Sequence, residues 1–205
     1  MVKCERHIDS KSDEWCWKCQ ELTDKERLES SKSLQKLKET EKIKVIFLDI
    51  DGVLNVIPID HDEFGGVFHT KFVDNLRRII DETGAKIVIS STWRFGGLQR
   101  MKDMWEFREL PGEVIDITID CYELIKEGRF EYYDEVERGH EIQEWIDTHP
   151  NIENYVILDD DNDFLPNQRG NFVRTSNNIN HPDCVDIGYG LTKECANKAI
   201  RILNR

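Results

Sequence analysis

From Ile43 onward the chain alternates between two hydrophobic rhythms. Val45-Ile46-Phe47-Leu48 is a nearly continuous apolar run, the pattern of a strand buried on both faces. Phe72, Val73, Leu76, Ile79 and Ile80 then recur at helical spacing, with Gly84 as the expected stop. Ile87-Val88-Ile89 predicts a second buried strand, residues 97–108 a helix, and Val114 to Ile119 a third strand. Helical spacing returns with Ile142, Trp145 and Ile146 and ends before Pro150. Tyr155 to Leu158 is a fourth apolar run, and Phe172-Val173 a short fifth. The last helix is expected to start at a Thr192 cap and to bury Ala196, Ala199, Ile200 and Leu203. Strands alternating with helices predict βαβ units. The expected fold is therefore α/β: a doubly wound, mostly parallel five-stranded sheet with helices on both faces.

Upstream of this region the pattern is different. Residues 1–21 are polar and bear cysteine and histidine, and residues 22–42 are rich in lysine and glutamate. In the second stretch Thr23 and Glu26 make a capping-box signature ahead of a thin stripe of Leu28, Leu34 and Leu37, which predicts an exposed linker helix. The expected organisation is a small amino-terminal module (1–21), a charged linker helix (22–42) and the main domain (43–205).

Composition narrows the function. The chain carries 28 Lys+Arg against 41 Asp+Glu, a net charge of -13, so a passive binder of long nucleic acid is disfavoured: its surface would mostly repel phosphates. A local site for one phosphate group remains compatible with that surface. No apolar run has the length of a membrane span, and the first twenty residues lack the apolar core of a signal peptide, so a cytoplasmic protein with no membrane contact is expected. In a reducing compartment, cysteines crowded at one end read as metal ligands. Cys4-x2-His7 and Cys16-x2-Cys19 have the pair-of-pairs spacing of a structural zinc site, set against a reading as ordinary free thiols. Trp15 and Trp17 flank Cys16 and suggest a surface for protein or nucleic-acid contact.

Open parallel sheets bind ligands beyond the carboxyl ends of their strands, and here the apolar runs end in polar chemistry. The first is followed by Asp49-Ile50-Asp51-Gly52-Val53-Leu54-Asn55, the second by Ser90-Ser91-Thr92-Trp93-Arg94, and the fourth by Asp159-Asp160-Asp161-Asn162-Asp163. Arg138 stands just before the helix that leads into the fourth strand. Carboxylates brought together repel, so either some are protonated or a cation sits among them; oxygen-only ligands favour a hard ion such as Mg²⁺. The bland alternative for any single aspartate is a helix cap or an Asx-turn. Neither a calcium loop nor a glycine-rich nucleotide loop fits the spacing.

These motifs resemble those of the haloacid-dehalogenase (HAD) superfamily: DIDGVLN from Asp49 to Asn55, Ser90 in IVISSTWR, Arg138 in RGHEIQEWI, and LDDDND from Leu158. The likeness is greatest to the compact HAD domains of multidomain RNA-repair proteins and covers residues 43–205. It implies a HAD/Rossmann-like sheet and a Mg²⁺-dependent phosphatase working through an aspartyl-phosphate, with water as acceptor; a phosphotransferase with another acceptor is compatible too. Asp49 would be the nucleophile and Asp51 the acid and base. Ser90 and Arg138 would complete the catalytic set, and Ser91, Thr92 and Arg94 would bind substrate, with Ser91 or Thr92 able to share the role of Ser90 and a salt bridge to the acidic surface explaining Arg94 equally well. Asp49, Asp51, Asp159 and Asp160 would hold the metal, with Asp163 an outer alternative. Only residues 52–89 separate Asp51 from Ser90, too few for a large cap, so a bulky substrate such as a polynucleotide end, a nucleotide or a phosphoprotein is admissible. Residues 129–133 are read as a small lid, or as a hairpin or loop packed on the sheet. The competing class is a non-catalytic zinc-containing binding protein that retains the HAD scaffold.

Overall fold

The structure is a computed structural model that describes residues 41–56, 60–176 and 189–205. The expectations for 1–21 and almost all of 22–42, including the zinc ligands Cys4, His7, Cys16 and Cys19, lie outside the described residues. Strand β1 (Ile43–Leu48) is followed by a two-rung antiparallel hairpin, β2 (His61–Asp62) and β3 (Gly65–Gly66), which the sequence reading missed. Helix α1 (Thr70–Thr83) comes next. The His69 side chain caps its start, and Gly84 ends it in the left-handed conformation at φ 67°. Strand β4 (Lys86–Ile89) leads through a 3₁₀ helix (Thr92–Gly96) into α2 (Gly97–Phe107).

Strand β5 (Val114–Ile117) stops short of the predicted Ile119. Asp120 then caps a short helix that was not expected, α3 (Cys121–Lys126). Residues 129–133 are neither a hairpin nor a strand; they run into a 3₁₀ turn (Tyr133–Glu135). Helix α4 (Arg138–Thr148), strand β6 (Ile152–Asp159), strand β7 (Phe172–Arg174) and helix α5 (Lys193–Leu203) follow among the described residues, and α5 is capped by Thr192 as expected.

All five long-range strands pair in parallel, in the order β5-β4-β1-β6-β7. This is the doubly wound α/β sheet anticipated from the apolar runs. Val45, Ile46, Phe47 and Leu48 are fully buried because β1 is central and covered on both sides. One face carries the larger core. Phe72, Leu76 and Ile79 of α1, Met101 and Met104 of α2, and Ala196, Ala199 and Leu203 of α5 pack against Ile46, Leu48, Ile87 and Ile89. The other face is covered by α4, whose Ile142 and Trp145 pack on Val45, Phe47, Val88 and Ile157. Each such side chain contributes roughly 1.5–3 kcal/mol on burial, so the sheet frame is rigid enough to hold polar groups at its end.

The direction of winding changes at β1. The chain goes outward from it to β4 and β5, then returns to its other side as β6 and β7. Register is locked across this point, with Leu48 opposite both Ile89 and Leu158. The next residues, Asp49, Ser90 and Asp159, are therefore delivered side by side.

Candidate active site at the carboxyl ends of the strands

The chain leaves β1 through a tight turn. The N–H groups of Val53, Leu54 and Asn55 all donate to the Ile50 carbonyl, and Gly52 N–H donates to Asn55. These amides are spent inside the turn, and the Ile50 N–H donates to the Asp49 carboxylate. Asp49 is 6% exposed and its backbone N–H donates to the Leu158 carbonyl, pinning β1 to β6 just where both strands end.

Asp49, Asp159 and Asp160 each present a carboxylate oxygen within 4.8 Å of the others. Arg138, the first residue of α4, reaches into this group. Its guanidinium lies 3.2 Å from Asp49 Oδ1 and 3.5 Å from Asp159 Oδ2, and it also donates to the Ser90 carbonyl. Three carboxylates against one guanidinium leave two negative charges uncompensated, and the acidities reflect it. Burial raises the pKa of Asp49, with Arg138 as the main opposing influence. Asp159 is pushed well above the ordinary carboxylate range by burial and then by Asp49. Asp160 rises to about 6, through burial and then its neighbours Asp161 and Asp49. For Arg138 burial works against the charge, but Asp159 and Asp49 outweigh it and hold the guanidinium protonated.

These observations fit a divalent cation. Among the described residues Asp159 Oδ2 is buried without a hydrogen-bond partner, the candidate ligands are all oxygen, and a double positive charge would neutralise the excess. Of the four carboxylates expected to hold a metal, the structure brings three together. Asp51 stands apart because its Oδ1 accepts from Asn55 Nδ2 at 2.9 Å and its Oδ2 from Trp93 Nε1 at 2.8 Å. Asp163 is turned to the start of α4, where its carboxylate and carbonyl accept from the Arg138 and Gly139 N–H groups.

A family model described as the HAD domain in Swiss Army Knife RNA repair proteins matches residues 45–180. The chain belongs to that family. No curated protein matches the chain. Among solved structures it is similar to one described as a HAD superfamily (subfamily III A) hydrolase from Legionella pneumophila, at 16% identity over 86% of this chain and 93% of that one; the TM-score of 0.41 is too low to add to the family match.

Within this HAD domain the residues after β4 have distinct surroundings. Ser91 caps the 3₁₀ helix, and its side chain also hydrogen-bonds Asp49. Ser90 Oγ is buried without a partner among the described residues, while its carbonyl accepts from Arg94 and Arg138. Thr92 is exposed at the start of the 3₁₀ helix. Arg94, expected either at the substrate or in a salt bridge, is buried in internal contacts. It is 5% exposed, its guanidinium meets Glu141 at 2.7 Å, and it donates to the Ser90, Ser91 and Ile119 carbonyls. That ion pair ties the Ser-Ser turn to α4, beside Arg138. His140 is likewise occupied away from the carboxylates, taking the Glu137 N–H and packing on Phe130.

Two other groupings lie outside this centre. Asp120, Cys121 and Glu141 come close enough for a metal, but Asp120 caps α3, Glu141 is bound to Arg94, and burial foremost pushes the Cys121 thiol up to about 11. A cavity of about 610 Å³ beside β5, lined by Phe95, Asp116, Thr118, Trp145 and His149 among others, includes none of the three clustered aspartates. Among the described residues no helix is long and apolar enough to cross a membrane.

Proposed function

We propose that this HAD domain is a Mg²⁺-dependent phosphomonoester hydrolase that works through an aspartyl-phosphate on Asp49. The observation that carries the reading is the meeting of Asp49, Asp159 and Asp160 around the Arg138 guanidinium. Mg²⁺ would be held by Asp49, Asp159 and Asp160, and when bound it supplies charge compensation and polarises a phosphoryl oxygen.

Asp49 Oδ forms a bond to phosphorus as the bond to the leaving oxygen breaks, and a proton passes from the Asp51 carboxyl to that oxygen. Asp51, now a carboxylate, takes a proton from water as the water oxygen bonds to phosphorus and the Asp49–phosphorus bond opens. Phosphate leaves and both aspartates return to their starting forms. Arg138 neutralises charge on the phosphoryl oxygens, and the Ser90 or Ser91 hydroxyl with the Asp51 amide donates to them. The substrate we favour is a phosphorylated polynucleotide end. That choice is supported by the name of the matched family and by the lack of room for a large cap in 52–89.

Phosphate release from phosphorylated oligonucleotides, mononucleotides and phosphopeptides, with Mg²⁺ and with chelator, tests both parts. Mg²⁺-dependent turnover that is greatest on oligonucleotides and abolished in Asp49→Asn is expected. An undiminished rate in Asp49→Asn overturns the assignment of the nucleophile, and a preference for phosphopeptides overturns that of the substrate.

A further inference from the structure

Asp51 is a surface residue, yet both of its carboxylate oxygens are taken, one by Asn55 Nδ2 and the other by Trp93 Nε1. An indole N–H only donates, and so does an amide nitrogen, so these partners hold both oxygens as acceptors and fix the plane of the carboxylate. Asn55 is 9% exposed and fixed by the turn that follows β1. Trp93 is fixed from farther away. A Cβ on Gly65 would stand 3.1 Å from the indole, so the ring lies directly on the backbone of the β2–β3 hairpin; Gly65 has φ +119°, a conformation open to glycine. The Phe68 ring packs beside Trp93, with centroids 5.7 Å apart.

The hairpin has its own anchor. Arg108, at the end of α2, grips both oxygens of Asp62 at 2.8 and 2.7 Å and donates to the Gly65 carbonyl at 3.3 Å. The same guanidinium lies over Phe68 at 4.4 Å. A continuous set of contacts therefore runs from the end of α2 through the hairpin and the indole to Asp51.

We propose that Trp93 and Asn55 are positioning residues that aim the Asp51 carboxyl at the oxygen leaving phosphorus, and that the β2–β3 hairpin is the brace holding Trp93 in place. The proposal rests on the phosphatase reading, and it gives a role to a segment for which the strand-end motifs account in no way. Asp51 delivers its proton to the leaving oxygen before the alcohol departs. A carboxyl that wanders costs most when that oxygen is strongly basic, and little when it leaves readily as a phenolate.

Trp93→Phe keeps a ring against Phe68 and Gly65 but removes the N–H. The measurement is kcat/KM with Mg²⁺ for two esters, an alkyl phosphate and p-nitrophenyl phosphate. This parameter reports steps only as far as alcohol release, so the later role of Asp51 as base does not enter it. The alkyl ester should lose roughly 10- to 100-fold in kcat/KM, within the range of acid catalysis. The p-nitrophenyl ester should lose no more than about threefold, because its leaving oxygen needs little help from an acid. Asn55→Ala should show the same split, and it carries the test if Trp93→Phe does not fold. Asp62→Asn, which loosens the Arg108 clamp, should show a weaker version of it. Equal losses on the two esters overturn the positioning role while the phosphatase reading stands. A phosphorylated oligonucleotide, itself an alkyl phosphate, replaces the small alkyl ester if that is not turned over, and no turnover of any of these esters by the wild-type chain overturns both.

Discussion

At Gly52 the backbone φ is +76°, and a Cβ built there would stand 2.2 Å from Asp160 Cγ. The glycine of the DIDG turn is thus what lets the acidic residues after β6 close over the turn after β1. Gly52→Ala should destabilise the fold by about 1–3 kcal/mol from left-handed strain, read by urea unfolding, and should push Asp160 away from Asp49 and Asp159. Mg²⁺ affinity and Mg²⁺-dependent turnover should then both fall at least about tenfold, comparable to losing one good ligand contact. Normal Mg²⁺ affinity in this variant would contradict the placement of Asp160. Gly139 is constrained in the same way, since its Cβ would meet the Leu165 amide at 2.6 Å. The aspartates and Arg138 were legible in the sequence because each follows a buried apolar run or begins a helix. Trp93 was not: an indole that is partly packed and partly hydrogen-bonded has the same spacing as one that is only packed. The sequence left Arg94 between a substrate contact and a salt bridge for a related reason. Its partner Glu141 lies 47 residues away, and no local pattern announces so distant a pairing.

Among elements, the tie between the 3₁₀ helix and α4 stands out because it is buried at both ends, with 5% and 7% side-chain exposure. Removing one partner of such a pair strands the other charge without water. Arg94→Leu is therefore expected to cost about 3–5 kcal/mol of stability, measured by denaturant unfolding. The double variant Arg94→Leu/Glu141→Leu should recover part of that loss, since no charge is then left behind. Full stability in Arg94→Leu would mean that the pair does not hold α4 against the Ser-Ser turn. The long elements were legible because their rhythm is sustained: four consecutive buried residues in β1, or Phe72, Leu76 and Ile79 on one face of α1. The β2–β3 hairpin has two residues per strand, one strand being Gly65-Gly66, and offers no alternation to detect. Helix α3 is only six residues long and owes its start to the Asp120 cap.

For the molecule as a whole, acid–base behaviour and stability are coupled through the site. Asp49, Asp159, Asp160 and Glu141 all have pKa values raised in the folded chain, so between the unfolded and folded values protons bind the folded state more tightly. Without a divalent ion, their contribution is fully present at and below the ordinary carboxylate values, 3.8 for aspartate and 4.5 for glutamate, and is lost as pH rises through each raised value, which for Asp160 is about 6. Asp62 acts with the opposite sign: Arg108 lowers its pKa, so it withdraws support only as pH falls below the ordinary value. Thermal melts in chelator should show Tm declining from roughly pH 5 to 7.5, and added Mg²⁺ should raise Tm more at the upper end, where it no longer competes with protons. A Mg²⁺ shift that is larger at the acidic end would contradict the site.

The register that sets Leu48 opposite both Ile89 and Leu158 also has a bearing on ancestry. Reactive groups hung from neighbouring rungs of one ladder keep their spacing while the connecting segments are rewritten. New substrate tastes can thus be acquired by splicing different crossovers onto an unchanged chemical kernel.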